Sequence, residues 1–135
     1  MRFYFLVKMK LLKNYKYSLI IAIIICYLSL KNSSSFDKFN VFHFPHMDKI
    51  VHLCMYFGFM SVLIFETFII AKKRYSLFVL ALIPFFCGIT IEVLQGLLTT
   101  TRSASFSDAI FNTLGILISV YLWLIIRLVY GEKFE

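Results

Sequence analysis

Four long apolar runs separated by short polar segments limit what this chain can fold into. They cover residues 17–30, 50–71, 77–98 and 109–130, and 61% of the chain is hydrophobic. A chain of 135 residues cannot hide so much apolar side chain within one water-soluble core. About 20 helical residues cross a hydrocarbon layer of about 30 Å, so the last three runs are long enough to span a bilayer. The sequence therefore predicts an all-α integral membrane bundle.

The first run is shorter than the others, but its flanks can lengthen it. Leu11 and Leu12 extend the apolar stretch, and Lys13 and Lys16 can reach the interface with their long side chains. A basic segment before an apolar stretch is also typical of a signal peptide, yet no small-x-small cleavage site follows. We expect an uncleaved span, and hence four transmembrane helices in one domain covering residues 1–135.

The distribution of charge predicts the orientation of the bundle. The net charge is +7, and basic residues gather before the first run and at positions 72–74, between the second and third. The positive-inside rule then places both termini in the cytoplasm and predicts a multi-pass membrane protein. Segments 31–49 and 99–107 are expected outside the cell, while Glu66 is expected to pair with the lysines at 72–74. Because more than half of the aromatic residues lie within the apolar runs, nucleic acid is not an expected partner.

Polar side chains recur at helical spacing near the predicted outer ends of the last three runs. Residues four, seven and eleven apart share one helix face. The second run carries Asp48, His52 and Tyr56, the third carries Gly88, Glu92, Gln95 and Thr99, and the fourth carries Asp108, Asn112, Gly115 and Ser119. We predict that Gly88 and Gly115 let the third and fourth helices approach closely as antiparallel neighbours.

These stripes predict one shared polar cluster near the outer interface. The candidate acid–base residues are Glu92, Asp108 and His52, and the candidate ligand-binding residues are Lys49, Gln95, Arg102 and Asn112. Placing an ionised side chain at the centre of a membrane costs roughly 2.5 to 3.5 kcal/mol. A carboxylate at that depth therefore usually has an interaction partner or a functional role.

Structural roles would also account for several of these residues. Asp48 and Asp108 lie at predicted helix starts, where a carboxylate accepts hydrogen bonds from free backbone N–H groups. His52 would suit a core position as a neutral imidazole, Arg102 would suit an interfacial anchor, and Tyr56 would suit packing.

Histidines near the second run raise the question of a metal. His43, His46, Asp48 and His52 carry ordinary zinc ligands, but Pro45 interrupts the helical register and no HExxH motif is present. All three cysteines lie within apolar runs, which argues against a thiolate site. We therefore expect no metal and no other cofactor.

Taken together, the polar motifs resemble the VanZ-like family of small bacterial membrane proteins, named after a protein associated with resistance to the glycopeptide teicoplanin. The residues that carry the resemblance are Asp48, Lys49, His52, Tyr56, Glu92, Gln95 and, within RSASFSDAIFNTLG, Arg102, Ser105, Asp108, Asn112 and Gly115. The resemblance implies a location in the bacterial inner membrane and a role in the cell envelope that could be linked to glycopeptide resistance, but it does not imply a particular reaction.

Three functions are compatible with the sequence. In the first, the cluster binds or modifies an anionic envelope ligand such as a lipid-linked cell-wall precursor, with membrane lipids around it. In the second, Glu92 or His52 is the general base of an enzyme that acts on a lipid-linked substrate, with Asp108 as a second acid or an orienting group. In the third, the polar stripes only hold the helices together. Proton transport is a minor fourth alternative, and the oligomeric state is not predicted.

Overall fold

The computed structural model describes residues 13–30, 47–98 and 105–131, and these ranges contain four helices and no strand. They are α1 (Lys16–Leu30), α2 (Met47–Phe65) with a π-helical extension (Glu66–Ile70), α3 (Leu77–Leu98) and α4 (Phe106–Tyr130). The predicted all-α architecture is thus confirmed. Three helices, α2 with its extension, α3 and α4, are long and apolar enough to cross a membrane. A fourth crossing by α1 and the cytoplasmic location of the termini stay predictions.

The outer surface of the bundle is apolar, and several of the most deeply buried side chains are polar. Leu97, Phe78 and Leu128 are 76%, 73% and 86% exposed. Glu66 and Gln95, by contrast, are 0% and 2% exposed. Exposing large apolar side chains to water over the whole surface of a bundle is unfavourable. This distribution is therefore typical of a protein that is surrounded by lipid.

Helices α2 and α4 form the most extensive helix pair in the bundle. A Cβ atom added at Gly115 would lie 2.3 Å from Leu53 O and 2.9 Å from Phe57 N, so only glycine permits this approach. The Ser61 and Ser119 hydroxyls, 2.9 Å apart, hydrogen-bond between the same two helices. Helices α3 and α4 are in contact, as predicted, but the glycines do not form that contact, because Gly115 faces α2.

Gly88 also faces α2 rather than α4. A Cβ atom at this position would lie 3.2 Å from the Tyr56 ring, in the tightest range of ordinary contacts. The stripes predicted on α3 and α4 are both buried, as their helical spacing requires. The two stripes come together because each of them packs against α2.

Glu66 joins the end of α2 to the beginning of α1. Its carboxylate accepts hydrogen bonds from Tyr17 N at 2.8 Å and Ser18 N at 3.0 Å, and also from the Ser18 hydroxyl. A carboxylate suits this position because the first N–H groups of a helix lack intrahelical acceptors and carry partial positive charge. The predicted pairing of Glu66 with Lys72 and Lys73 is wrong, since both carboxylate oxygens are engaged by α1.

The π-helical extension ends in an unusual backbone conformation. Ala71 N donates to Glu66 O, five residues earlier, at 2.8 Å, and Lys73 N donates to Thr67 O at 3.0 Å. Between them, Lys72 has φ 49°, the left-handed conformation that commonly closes helices and that glycine adopts most easily. The segment 72–76 then leads directly into α3.

Candidate functional site

Four polar side chains lie together at the end of the bundle where α2 and α4 begin and α3 ends. His52, Glu92, Asp108 and Asn112 are all at most 9% exposed. Each lies within about two turns of a helix end, so one cluster can form without any of them reaching the middle of the bundle. The structure therefore brings together the three predicted acid–base residues and one predicted ligand-binding residue.

A hydrogen bond between His52 and Asn112 fixes the state of the imidazole. His52 Nδ1 lies 3.0 Å from Asn112 Oδ1. An amide oxygen only accepts, so Nδ1 must carry the hydrogen. In the neutral ring, the other nitrogen, Nε2, then has a free lone pair and can take up a proton or accept a hydrogen bond. Asn112 thus orients His52 as a base with one defined basic atom.

Glu92 reaches the cluster from α3 with one carboxylate oxygen bonded and one not. Ser105 N donates to Glu92 Oε2 at 3.3 Å, which ties the end of α3 to the beginning of α4. Glu92 Oε1 lies 3.9 Å from His52 Nδ1, close enough for electrostatic attraction. Within the described ranges this buried oxygen has no hydrogen-bond partner. A buried acceptor without a donor is costly, so Oε1 is a natural point of attachment for a ligand donor.

Asp48 and Asp108 both lie close to the imidazole of His52. One ligand atom from each of Asp48, His52 and Asp108 falls within 4.8 Å of the others. Two carboxylate oxygens and one imidazole nitrogen are ordinary ligands for a divalent cation, so this donor set is chemically suitable for a metal. The expectation of a metal-free protein stays a prediction.

The beginning of α4 is capped by Ser105 rather than by Asp108. The Ser105 hydroxyl accepts from Asp108 N at 3.4 Å, and Ser105 has the extended backbone of an N-cap residue. Asp108 lies in the first turn of α4, with the Ser107 hydroxyl 3.4 Å from its Oδ1. Ser105 therefore has two tasks, since it caps α4 and donates its N–H to Glu92. The serine three residues before Asp108 is the sequence signal for this cap.

Of the remaining predicted ligand-binding residues, the structure describes Gln95 and Lys49. Gln95 is buried, but its Nε2 donates to Ser29 O of α1 at 2.7 Å. Lys49 is half-buried at the rim, with its ammonium 5.9 Å from the centre of the Phe111 ring. Arg102, together with His43 and His46, lies outside the described residues.

Tyr56 lies one turn deeper than His52 and is fully buried. It packs on Gly88, as expected of a packing residue, but its hydroxyl has no hydrogen-bond partner among the described residues. A buried tyrosine hydroxyl normally finds a partner. The spacing of Asp48, His52 and Tyr56 places Tyr56 on this face, whereas the unsatisfied hydroxyl was not evident from the sequence.

The family comparison agrees with the polar motifs of the site. The profile of a family described as VanZ/LLP1 matches residues 2–127. No curated protein and no solved structure matches the chain. The three long apolar helices and the family match together indicate a membrane protein of the cell envelope. Because the profile covers nearly the whole chain, this protein belongs to the VanZ/LLP1 family, within the VanZ-like proteins.

Proposed function

We propose that the cluster of His52, Glu92, Asp108 and Asn112 is an extracytoplasmic pocket that binds an anionic envelope ligand, a lipid-linked cell-wall precursor. Such a precursor offers phosphate and carboxylate groups at the depth of the headgroups, together with amide and hydroxyl donors. The observation that carries the proposal is Glu92 Oε1, which is buried and has no hydrogen-bond donor among the described residues, beside an imidazole held in one orientation.

The proposed roles divide between the buried cluster and its rim. Glu92 Oε1 accepts a hydrogen bond from an amide or hydroxyl of the ligand, which satisfies a buried acceptor that meets no donor within residues 13–30, 47–98 and 105–131. Lys49 at the rim and Arg102 in the adjacent connection attract the anionic group. A guanidinium suits this task because its planar array of donors matches phosphate and carboxylate oxygens.

Binding of purified full-length protein to a lipid-linked muropeptide precursor tests the proposal. Asn112→Ala removes the acceptor that orients His52, and we expect about tenfold weaker binding, since losing a buried hydrogen bond costs about 1 to 3 kcal/mol. Native mass spectrometry in lipid nanodiscs measures the bound fraction. Glycopeptide susceptibility of cells expressing each variant, with protein level measured beside it, reports the cellular effect.

Ser119→Ala is the matched control for this experiment. It also removes a polar contact between α2 and α4, the one with Ser61, but outside the cluster. We expect Ser119→Ala to bind the precursor as the unmodified protein does. An equal loss of precursor binding in Asn112→Ala and Ser119→Ala would show that helix packing rather than ligand contact was disturbed, and the proposal would be abandoned.

An acid–base enzyme is the second candidate, and the His52–Asn112 bond favours it. A neutral imidazole that donates through Nδ1 presents Nε2 as a proton acceptor, which is what a general base requires. In this version Glu92 or His52 takes a proton from the lipid-linked substrate, and Asp108 is the second acid.

Glu92→Gln keeps the shape of the side chain and removes its charge. An enzyme should lose turnover while still binding precursor; a variant with undiminished turnover argues against Glu92 as the base.

The third candidate assigns the cluster to helix packing alone. Polar contacts in membrane proteins average only about 0.6 kcal/mol. A packing role explains the His52–Asn112 bond, but it gives no reason to bury Glu92 Oε1 where no other described residue donates to it. A well-folded Glu92→Ala protein that has lost precursor binding speaks against a purely structural role.

A further inference from the structure

A cavity lies at the end of the bundle opposite to the polar cluster. It has a volume of about 560 Å³ and lies between the α2–α3 connection and the last turns of α4. Its charged and aromatic lining consists of Lys72, Lys73, Arg74, Tyr75, Trp123 and Arg127. Trp123 stacks on Phe68 with the ring centres 5.6 Å apart, which gives the cavity a firm apolar wall.

The four cations of this cavity are not neutralised by the protein in the described ranges. No ion pair within the described ranges involves Lys72, Lys73, Arg74 or Arg127. Glu66 is the acid nearest to residues 72–74 along the chain, but α1 engages both of its oxygens. Four like charges around one cavity repel one another, so an anion bound among them gains from every one.

An apolar groove adjoins the basic cavity. It has a volume of about 500 Å³, runs between α1, α2 and α3, and is lined by side chains such as Ala22, Leu63, Val79 and Ile83. Lys73 and Tyr75 line both spaces, so the groove begins where the basic cavity ends. A ligand that occupies both must have an anionic head and an apolar tail.

We propose that the cavity formed by Lys72, Lys73, Arg74 and Arg127, with the adjoining groove, binds one anionic phospholipid. The phosphate lies among the four cations and one acyl chain lies in the groove. The positive-inside rule places these cations at the cytoplasmic leaflet, which is rich in anionic lipid. This lipid site is separate from the proposed precursor pocket, at the other end of the helices.

Lipid binding to the full-length protein tests the proposal. We expect phosphatidylglycerol to bind in preference to phosphatidylcholine with the same chains, as measured by native mass spectrometry. The double variant Lys73→Gln and Arg127→Gln should bind phosphatidylglycerol roughly 30-fold more weakly, since each basic residue near a membrane surface contributes about a fivefold factor. Lys72→Gly removes a third charge and retains the left-handed backbone, so it should weaken binding without disturbing the fold.

Two further variants test the cavity and the groove separately. Lys16→Gln removes a cation at the same end that lines neither space and lies 4.6 Å from the centre of the Tyr17 ring, so it should leave binding unchanged. Val79→Trp fills the groove without changing the charge and should also weaken phosphatidylglycerol binding.

Several results would overturn the proposal. The first is equal binding of phosphatidylglycerol and phosphatidylcholine. The second is an equal loss of phosphatidylglycerol binding in Lys16→Gln and in the double variant. If glycerol phosphate displaced the lipid and Val79→Trp had no effect, the cavity would bind free phosphates instead. Two of the last four residues are glutamates; stronger lipid binding after Glu132→Gln and Glu135→Gln would identify the C-terminal segment as the native occupant.

Discussion

At the scale of single residues, the chemistry of the cluster depends on which atoms are satisfied and which are not. Asn112 Oδ1 accepts from His52 Nδ1, and Ser105 N donates to Glu92 Oε2. Neutral His52 then keeps a lone pair on Nε2, and Glu92 Oε1 makes no hydrogen bond to another described residue, so these two atoms are the ones that the proposed ligand or substrate would contact. A site of this kind is prepared in advance, because its buried polar groups are held by neighbours before anything binds.

The tautomer of His52 can be measured directly. We expect neutral His52 to carry its hydrogen on Nδ1, because the amide oxygen of Asn112 only accepts. Nitrogen-15 NMR of histidine-labelled protein, assigned with a His52→Gln variant, distinguishes the two tautomers by their ring nitrogen shifts. In Asn112→Ala this preference should disappear, since a hydrogen bond worth about 1 kcal/mol is removed. An Nε2-protonated ring in the unmodified protein would contradict the proposed orientation of the base.

At the scale of helices, two contacts decide how the bundle assembles. Gly115 lets α4 lie directly against the backbone of α2, and Glu66 holds the beginning of α1 at the end of α2. The first contact forms the α2–α4 pair that carries His52 and Asn112. The second fixes the short helix, whose other end is held where Gln95 donates to Ser29 O.

Substitution of Gly115 should separate α2 from α4. A Cβ atom there meets backbone atoms, which cannot move aside as a flexible side chain can, so Gly115→Ala should destabilise the protein by about 1 to 3 kcal/mol. Thermal unfolding in detergent measures the change. Gly58→Ala is the matched control, because a Cβ atom at that position has no neighbour within 4 Å. The control should be neutral or slightly stabilising, and equal destabilisation of both variants would contradict the packing argument.

Neutralising Glu66 should loosen α1. In Glu66→Gln one accepting oxygen becomes an NH2 group, which opposes the donors of Tyr17 and Ser18. We expect a loss of about 1 to 3 kcal/mol in stability, as for other buried charge-assisted hydrogen bonds. Thr90→Ala, which removes an exposed hydroxyl on α3, serves as the control in the same unfolding assay. An unfolding midpoint unchanged by Glu66→Gln would mean that these bonds do not anchor the helix.

At the scale of the whole molecule, the two ends of the bundle differ in chemistry. One end has the buried cluster of His52, Glu92, Asp108 and Asn112, and the other has the basic cavity at 72–74 and Arg127. Both proposals therefore depend on the orientation of the bundle in the membrane.

Cysteine labelling of intact cells tests this orientation. In a background without the three native cysteines, Lys49→Cys and Ser107→Cys should react with an impermeant reagent added outside. Arg74→Cys should react only after the membrane is opened, because basic segments stay in the cytoplasm. Lys13→Cys should behave as Arg74→Cys does, since Glu66 holds the start of α1 at that end. Labelling of residue 107 only from the cytoplasm would end the proposed extracytoplasmic pocket.

The sequence by itself determined the helices and the buried faces. Apolar runs of 20 or more residues can satisfy their backbone within a membrane only as helices or closed barrels, and the spacing of Asp108, Asn112, Gly115 and Ser119 marks one helical face. The predicted runs therefore agree with α1–α4 to within about three residues at each end.

Only the tertiary structure decided which faces meet. The sequence pattern shows that Gly115 lies on a buried face, but not that this face lies on Leu53 and Phe57 of α2 instead of on α3. Likewise, Glu66 is near two lysines in sequence, yet it accepts from Tyr17 and Ser18, which are nearly 50 residues away. Helical periodicity is a property of one segment, whereas partner choice depends on how all the helices fill space together, and that information is not contained in any single run.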